Sequence, residues 1–398
     1  MVSIAASLRS AQRVLERAGA SALLMALLLC ALTARGDAAE PHAATPATFQ
    51  RAEGTRDWRF PRDHGQHPAY RLEWWYWTGI VRADDGRTFG YQVTFFRQGL
   101  AGADPNRRSA WAVRSLYLAH AAVSDVAARR YLHASRVGRD SLGLSGAAPD
   151  ALHVWLRDWR AEPLPDDPHG VRLHLDAGDF ALALTLRAGK GPVLHGTGGL
   201  DRKGPQPGQA SWYYSLPRLA TEGTLRSGDV EQRVSGSTWM DHEFGTSQLA
   251  PELAGWDWLA LRLEDGSDLM LYRLRRRDGS AGAFSGGSLV APDGTRRALR
   301  MTGESPARAE MLPGRAWRSA ASGAVYPLEW SVALPGEDIA LRIAPAFDAQ
   351  EQPAAEGTPF AYWEGAVWAE GTRGGRPLRG EGYLELTGYA GELGGALR

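Results

Sequence analysis

The segment SGSTWMDHEFGTSQL, residues 235–249, places three ionisable side chains next to each other: Asp241, His242 and Glu243. Successive side chains of an extended strand point to opposite faces, so Asp241 and Glu243 share a face with Trp239 while His242 points the other way. Three adjacent residues of a regular strand therefore cannot coordinate one metal ion, and no HExxH spacing occurs in the chain. We expect no metal and no other cofactor.

A carboxyl group in an apolar aromatic pocket is desolvated, which raises its pKa and keeps it protonated near neutral pH. Such a group can act as a general acid while a second residue accepts a proton from water. We predict Asp241 as the proton donor and His242 or Glu243 as the orienting base, for hydration of an unactivated C=C bond or for hydrolysis. The alternative is structural: Asp241 or Glu243 pairs with an arginine, such as Arg71 or Arg273, and locks two domains together.

A second stretch, RLEWWYWTG, interleaves a carboxylate with indoles in a similar way. In an extended strand Glu73, Trp75 and Trp77 share one face, so Glu73 is either a pocket carboxylate or a buried hydrogen-bond anchor. Aromatic side chains suit the wall of an apolar pocket, and their faces can stabilise a transient cation. The residues predicted to bind the ligand are Trp239, Glu73, Trp75, Trp77, Tyr214, Trp256 and Trp258.

Strand signals dominate the segments that must position these residues. Aromatic and β-branched runs flank an Asp-Gly dipeptide at residues 85–86 and another at 265–266, each typical of a hairpin. Residues 171–188 alternate between apolar and polar positions, whereas residues 124–135 show a weak helical period. The sequence predicts an all-β protein built mainly of antiparallel strands.

The two Asp-Gly hairpins begin alike, the first with a Trp-Tyr-Trp strand at residues 75–77 and the second with a Trp-Asp-Trp strand at residues 256–258. This partial repeat predicts two related β units. A length of 398 residues also favours two domains. We predict a signal peptide, a flexible lead-in, an N-terminal domain and a C-terminal domain at residues 1–39, 40–54, 55–230 and 231–398.

The N-terminal residues have the composition of an export signal. Three arginines precede an uncharged run, residues 18–34, which is short for a membrane span. Cys30 lies inside this run and is the only cysteine, so the processed chain would carry no disulfide. We expect a cleaved signal and a periplasmic or secreted location, with an uncleaved membrane anchor as the alternative. Basic and acidic residues number 45 each, which argues against a nucleic-acid partner.

Four blocks of the chain resemble, in the same order, the exported AttH-like proteins of the carotenoid 1,2-hydratase superfamily. They are EWWYWTG, HGTGGLDRKGPQPGQASWYYSL, WMDHEFGTSQL and GWDWLALRLEDGSDLMLYRLR. The resemblance covers roughly residues 55–390 and implies two consecutive lipocalin-like antiparallel β-barrel domains with an apolar or lipid-like ligand. It also implies chemistry by an acidic residue with neighbouring Trp and Tyr, which matches Trp239, Asp241, His242 and Glu243.

Two functions remain open from the sequence. The first is an exported enzyme, expected to be a monomer, that acts on a small hydrophobic, lipid- or isoprenoid-like ligand. The second is a non-catalytic periplasmic carrier that works beside a membrane transporter, in which case the same carboxylates are structural.

Overall fold

The computed structural model describes residues 49–100, 109–247, 249–355 and 360–391. The predicted signal peptide, Cys30 and most of the lead-in lie outside these ranges. The described residues form strands and two short 3-10 helices, Arg62–His64 and Pro335–Glu337, and contain no α-helix. Within the same ranges, no helix is long and apolar enough to cross a membrane.

The first thirteen strands form one antiparallel sheet. They are β1 Leu72–Ala83, β2 Thr88–Gly99, β3 Ser115–Asp125, β4 Arg130–Arg139, β5 Ser145–Ala147, β6 Val154–Leu156, β7 Trp159–Leu164, β8 Asp167–Asp176, β9 Phe180–Ala188, β10 Val193–Leu194, β11 Leu200–Arg202, β12 Ala210–Ser227 and β13 Val230–Ser247. The main order is β4-β3-β2-β1-β13-β12-β9-β8-β7-β6-β5. The Ser145 hydroxyl of β5 donates to the Arg139 carbonyl of β4 at 2.7 Å, so the sheet closes almost completely into a barrel.

Ten of the remaining strands form a second, more open barrel. The twelve remaining strands are β14 Leu253–Leu263, β15 Asp268–Arg276, β16 Gly286–Val290, β17 Arg296–Arg300, β18 Glu310–Pro313, β19 Ala316–Arg318, β20 Val325–Pro327, β21 Trp330–Leu334, β22 Ile339–Pro345, β23 Glu351–Gln352, β24 Tyr362–Arg373 and β25 Arg376–Leu386. Their order is β17-β16-β15-β14-β25-β24-β22-β21-β18, β23 pairs with β24, and β19 and β20 form a separate ribbon. The predicted all-β architecture of two lipocalin-like barrels is confirmed.

The predicted repeat is present, but its two copies are offset by one residue. β1 and β14 each pair with the next strand and with the last long strand of their own sheet. Glu73 lies opposite Arg97 and bonds to it, and Asp257 lies opposite Arg273 in the same way. Glu73 and Asp257 are not equivalent positions, since Glu73 precedes the Asp of its turn by twelve residues and Asp257 by eight, but both strands place a buried acid beside a cross-strand arginine.

The interiors of both barrels are filled with side chains. In the first barrel, Trp75, Trp77, Tyr91 and Trp159 belong to one buried apolar cluster. A separate cluster, centred on bulky residues such as Trp330, fills the second barrel. A third cluster joins outward-facing residues of both barrels. The two barrels thus pack through their outer faces, which explains why β1 and β14 are buried on both sides.

Two details of the predicted organisation differ from the structure. Residues 124–135 form the end of β3, a turn and the start of β4, because cross-strand pairing overrides a weak helical period. The passage from the first sheet to the second lies between Ser247 and Leu253, whereas the sequence places a boundary at residues 230 and 231. The cause is β13, which pairs with β1 or β12 along its length and so belongs to the first barrel.

Candidate active site between the two barrels

The outer faces of the two barrels enclose a cavity of about 190 Å³. β1 contributes Trp74 and Tyr76, and β13 contributes Asp241 and Glu243. From the second barrel, Trp258 of β14 faces them. The strand alternation predicted for β13 is correct, since Asp241 and Glu243 reach the cavity together.

Asp241 is held by three neutral donors. Its Oδ2 accepts from the Tyr213 hydroxyl at 2.7 Å, and its Oδ1 accepts from the Trp239 indole at 2.7 Å and from the Ser215 hydroxyl. Burial raises the pKa of Asp241 to about 7, against the opposing effect of these three hydrogen bonds. No arginine pairs with Asp241 among the described residues, and Arg273 is bound to Asp257 instead. Asp241 is thus a carboxyl group that can hold a proton near neutral pH.

Glu243 lies beside Lys203, one of two cationic side chains of the cavity wall. The Lys203 ammonium is 3.3 Å from Glu243 and 2.6 Å from Asp201, and the Ser211 hydroxyl donates to Glu243. Burial raises the pKa of Glu243, while the Lys203 charge opposes that rise. The Tyr272 hydroxyl of the second barrel donates to Asp201 at 2.7 Å and so helps to hold the carboxylate that binds Lys203.

Two further carboxyl groups, Glu364 and Glu385, line the cavity and are absent from the residues predicted by the sequence. They are cross-strand partners on β24 and β25, and the Tyr76 hydroxyl of the first barrel donates to Glu364. Burial raises the pKa of both, and their proximity raises the pKa of Glu364 further. The Tyr-Trp-Glu run at residues 362–364 carries the signal that could have found Glu364, a carboxylate directly after two aromatic residues of a strand.

A hydrogen-bonded chain leads away from Asp241. The Ser215 hydroxyl contacts both Asp241 and His195 Nε2, the latter at 2.6 Å. His195 Nδ1 lies 2.9 Å from the Ser288 hydroxyl, which also accepts from Arg296 at 3.2 Å. Burial lowers the pKa of His195, so its neutral ring has one donor and one acceptor nitrogen. Such a ring can pass a proton between the two serines.

His242 does not reach the cavity beside Asp241, which corrects its predicted role as a base there. Its ring lies inside the first barrel, stacked on Trp75 at a centroid distance of 4.9 Å. Its Nε2 lies 2.9 Å from Glu73, and its Nδ1 lies 3.0 Å from the Tyr214 hydroxyl. Burial lowers the pKa of His242 to about 4. His242 lies inside the barrel because every second side chain of β13 points inward, and Asp241 and Glu243 occupy the alternate positions.

Glu73 is an anchor rather than a free pocket carboxylate. It borders the cavity, yet Arg97 donates to one carboxylate oxygen at 2.9 Å, and His67 and His242 contact the other. The ligand atoms of His67, Glu73 and His242 lie within 4.8 Å of one another, so they could hold a metal ion. The Arg97 guanidinium already neutralises Glu73, which disfavours a second cation on this carboxylate.

The predicted aromatic residues divide between the two sides of the sheet. Trp75, Trp77 and Tyr214 belong to the core of the first barrel and do not line the cavity. Trp239 lies between the barrels, where it supports Asp241. Trp256 and Trp258 do line the cavity. Trp74 and Tyr76 take the places predicted for Trp75 and Trp77, because the opposite face of β1 meets the second barrel.

This architecture is that of a two-barrel, lipocalin-like protein with a hydratase-like fold. The AttH-like family model matches residues 51–389, and the chain belongs to the AttH-like family. The crystal structure of a protein named for AttH, from Nitrosomonas europaea, is similar over 86% of this chain and 100% of its own, with 34% identity and a TM-score of 0.75.

Kievitone hydratase from Nectria haematococca shares the fold over 85% of this chain and 95% of its own, with 16% identity and a TM-score of 0.63. A comparison with curated proteins finds no match. The predicted resemblance to AttH-like proteins is therefore confirmed, and the likeness to the hydratase concerns the fold.

Proposed function

We propose that the cavity between the barrels binds an apolar, lipid- or isoprenoid-like ligand and that Asp241 protonates it, in an acid-assisted hydration. The observation that carries this proposal is the buried Asp241 carboxyl, with a pKa raised to about 7, in a wall of aromatic residues. Lys203 and Arg97 are the cationic side chains of that wall, and Arg97 is bound to Glu73. Lys203 alone would then have to balance the other four carboxyl groups of the wall if all of them were ionised, which favours protonation of some of them. These groups are Asp241, Glu243, Glu364 and Glu385.

The reaction begins when Asp241 transfers its proton to one carbon of a C=C bond. The π electrons form the new C–H bond, and the neighbouring carbon becomes cationic. The faces of Trp258 and Tyr76 stabilise that cation. Water then attacks it through oxygen, and its surplus proton passes to Glu243, so that one water molecule is added in all. Glu243 then releases its proton to solvent, and Asp241 regains one from solvent through Ser288, His195 and Ser215, so both carboxyl groups return to their starting states.

Two observations support hydration over ester or amide hydrolysis. The described residues of the cavity wall include no serine and no cysteine nucleophile, and the hydroxyl groups nearest Asp241 already bond to it. The fold is also that of kievitone hydratase, whose name states a hydration. An exported location remains part of the proposal, on the composition of residues 1–34, and fractionation of cells that express the full chain tests it.

Ligand binding can be tested with the neutral fluorescent probe N-phenyl-1-naphthylamine. We expect saturable binding to the wild type and its loss in Leu118→Trp, because Leu118 lines the cavity and a larger side chain fills it. Leu116→Trp is the matched control, since Leu116 lies two residues earlier on the same strand and outside the cavity wall. Equal binding by all three proteins would place the probe elsewhere and contradict the proposed site.

Chemistry can be tested by extracting the bound molecules of the purified protein for mass spectrometry and returning them to the protein in ¹⁸O-labelled water. A single product heavier than the ligand by one molecule of ¹⁸O-labelled water, formed with the wild type and not with Asp241→Asn, supports hydration, whereas hydrolysis would split the ligand into two fragments. A ligand that binds stoichiometrically and leaves unchanged would instead assign the protein to the carriers, including a carrier beside a membrane transporter.

A further inference from the structure

A second cavity, of about 400 Å³, lies at the other end of the same interface. Its position relative to the first cavity follows from the order of the lining residues along β13 and β14. On β13, Trp239 separates Asp241 of the first cavity from Ser237 of the second. On β14, Ala260 separates Trp258 from Arg262 in the same way. The apolar cluster that joins the barrels thus divides the two cavities.

Arg262 lines this second cavity without any hydrogen bond. Its residue is 3% exposed, and its Nε and both terminal nitrogens are buried without a partner. Its cross-strand neighbours cannot serve it, because Asp268 is bound by Lys190 and Arg218, and Glu381 is bound by Arg82. Burial lowers the pKa of Arg262, and the charges of Glu381 and Asp268 oppose that effect without supplying a hydrogen bond, so the lost hydration of the guanidinium is only partly compensated.

The opposite wall offers a second unpartnered group. The Ser237 hydroxyl on β13 is buried and has no hydrogen-bond partner. It belongs to the first barrel, whereas Arg262 belongs to the second, so both barrels point an unsatisfied donor toward one space. Two further arginines of the wall already have acidic partners, namely Arg218 with Asp268 and Arg379 with Glu370.

We propose that this cavity is a binding site for a small oxyanion, a phosphate, sulfate or carboxylate group, held by Arg262 and Ser237. A guanidinium presents parallel N–H donors that match two oxygens of such a group, and its interaction with an anion restores the charge balance lost on burial. The serine hydroxyl supplies a further donor. This site does not depend on the hydration proposed for the first cavity.

The test uses isothermal titration calorimetry and thermal unfolding with inorganic phosphate, sulfate and acetate, against chloride at constant ionic strength. We expect saturable binding of at least one oxyanion and a rise in Tm that saturates with it. Arg262→Met should weaken binding roughly tenfold or more. It removes an unpaired buried charge, so this variant should unfold at the same or a higher temperature than the wild type without anion.

Three further proteins complete the experiment. Ser237→Ala should weaken binding by a smaller factor, because it removes one neutral donor. Arg342→Gln is the control for loss of positive charge, since Arg342 is exposed and paired with Glu329, and it should bind as the wild type does. Asp241→Asn should also bind normally, which separates this site from the first cavity. Absence of saturable binding in the wild type, or equal binding by Arg262→Met, would show that only water occupies the cavity and overturn the proposal.

Discussion

Replacing Asp241 by asparagine is expected to change how the stability of the protein depends on pH. The pKa of Asp241 rises from 3.8 to about 7 on folding, because burial disfavours the ionised form. Between these values the native state holds a proton that the unfolded chain has released. Stability therefore falls as pH rises through this window, and the loss is complete above the folded pKa.

The magnitude follows from the size of the shift. Roughly three pKa units, at about 1.4 kcal/mol each, correspond to about 4 kcal/mol lost by the wild type between pH 4 and pH 8. Asparagine resembles the neutral acid in shape and carries no titrating proton, so Asp241→Asn lacks this loss. The variant should gain about 4 kcal/mol on the wild type across the window, whatever its stability at pH 4.

Urea unfolding at half-unit steps from pH 4 to pH 8.5, followed by tryptophan fluorescence, measures this difference. Asp166→Asn serves as the control, because Asp166 is exposed and its substitution removes the same formal charge. If the difference between Asp241→Asn and the wild type stays constant with pH, Asp241 is ionised throughout, and its role as a proton donor at neutral pH is refuted.

Three other predictions follow from the contacts around Asp241 and Glu73. Ser215→Ala removes a hydrogen bond that lowers the pKa of Asp241, so the Asp241 transition in the same pH series should move to higher pH; an unchanged midpoint would contradict this. His195→Gln interrupts the chain to Ser288, so with an identified substrate it should reduce kcat while KM changes little, and it should alter the pH dependence of kcat. A purely structural role would leave that pH dependence unchanged. Glu73→Gln leaves Arg97 buried without its counter-ion and should reduce the free energy of unfolding by about 3–5 kcal/mol. Glu370→Gln, at an exposed pair, should cost less than about 1 kcal/mol in the same urea titration.

The sequence predicts the hairpins well because their signals are local. Asp-Gly turns at residues 85–86 and 265–266 give Gly86 and Gly266 the positive φ that glycine adopts without strain. Alternation along β13 likewise separates Asp241 from His242 correctly. These features need only the geometry of a strand and its turn, so one segment of sequence contains the information.

The side of β1 that faces the cavity could not be predicted in this way. Its aromatic residues occupy both faces, so a period of two leaves open which set lies inside the barrel. Trp75 and Trp77 point inward, and Trp74 and Tyr76 meet the second barrel. Glu364 and Glu385 escaped prediction for a related reason. They approach Asp241 only when two barrels pack, and although the aromatic run before Glu364 marks it as a candidate pocket carboxylate, it does not record that packing.

The location between the barrels also explains the unusual state of the carboxyl groups. Asp241 lies on the outer face of its own barrel, where an isolated domain would expose it to water. The second barrel covers that face and brings Glu364 and Glu385 with it. Desolvation and mutual repulsion then raise the pKa values of these acids together. The raised pKa of Asp241 is therefore a property of the assembled pair of barrels, and the tyrosine bridges from Tyr76 to Glu364 and from Tyr213 to Trp258 hold that pair in register.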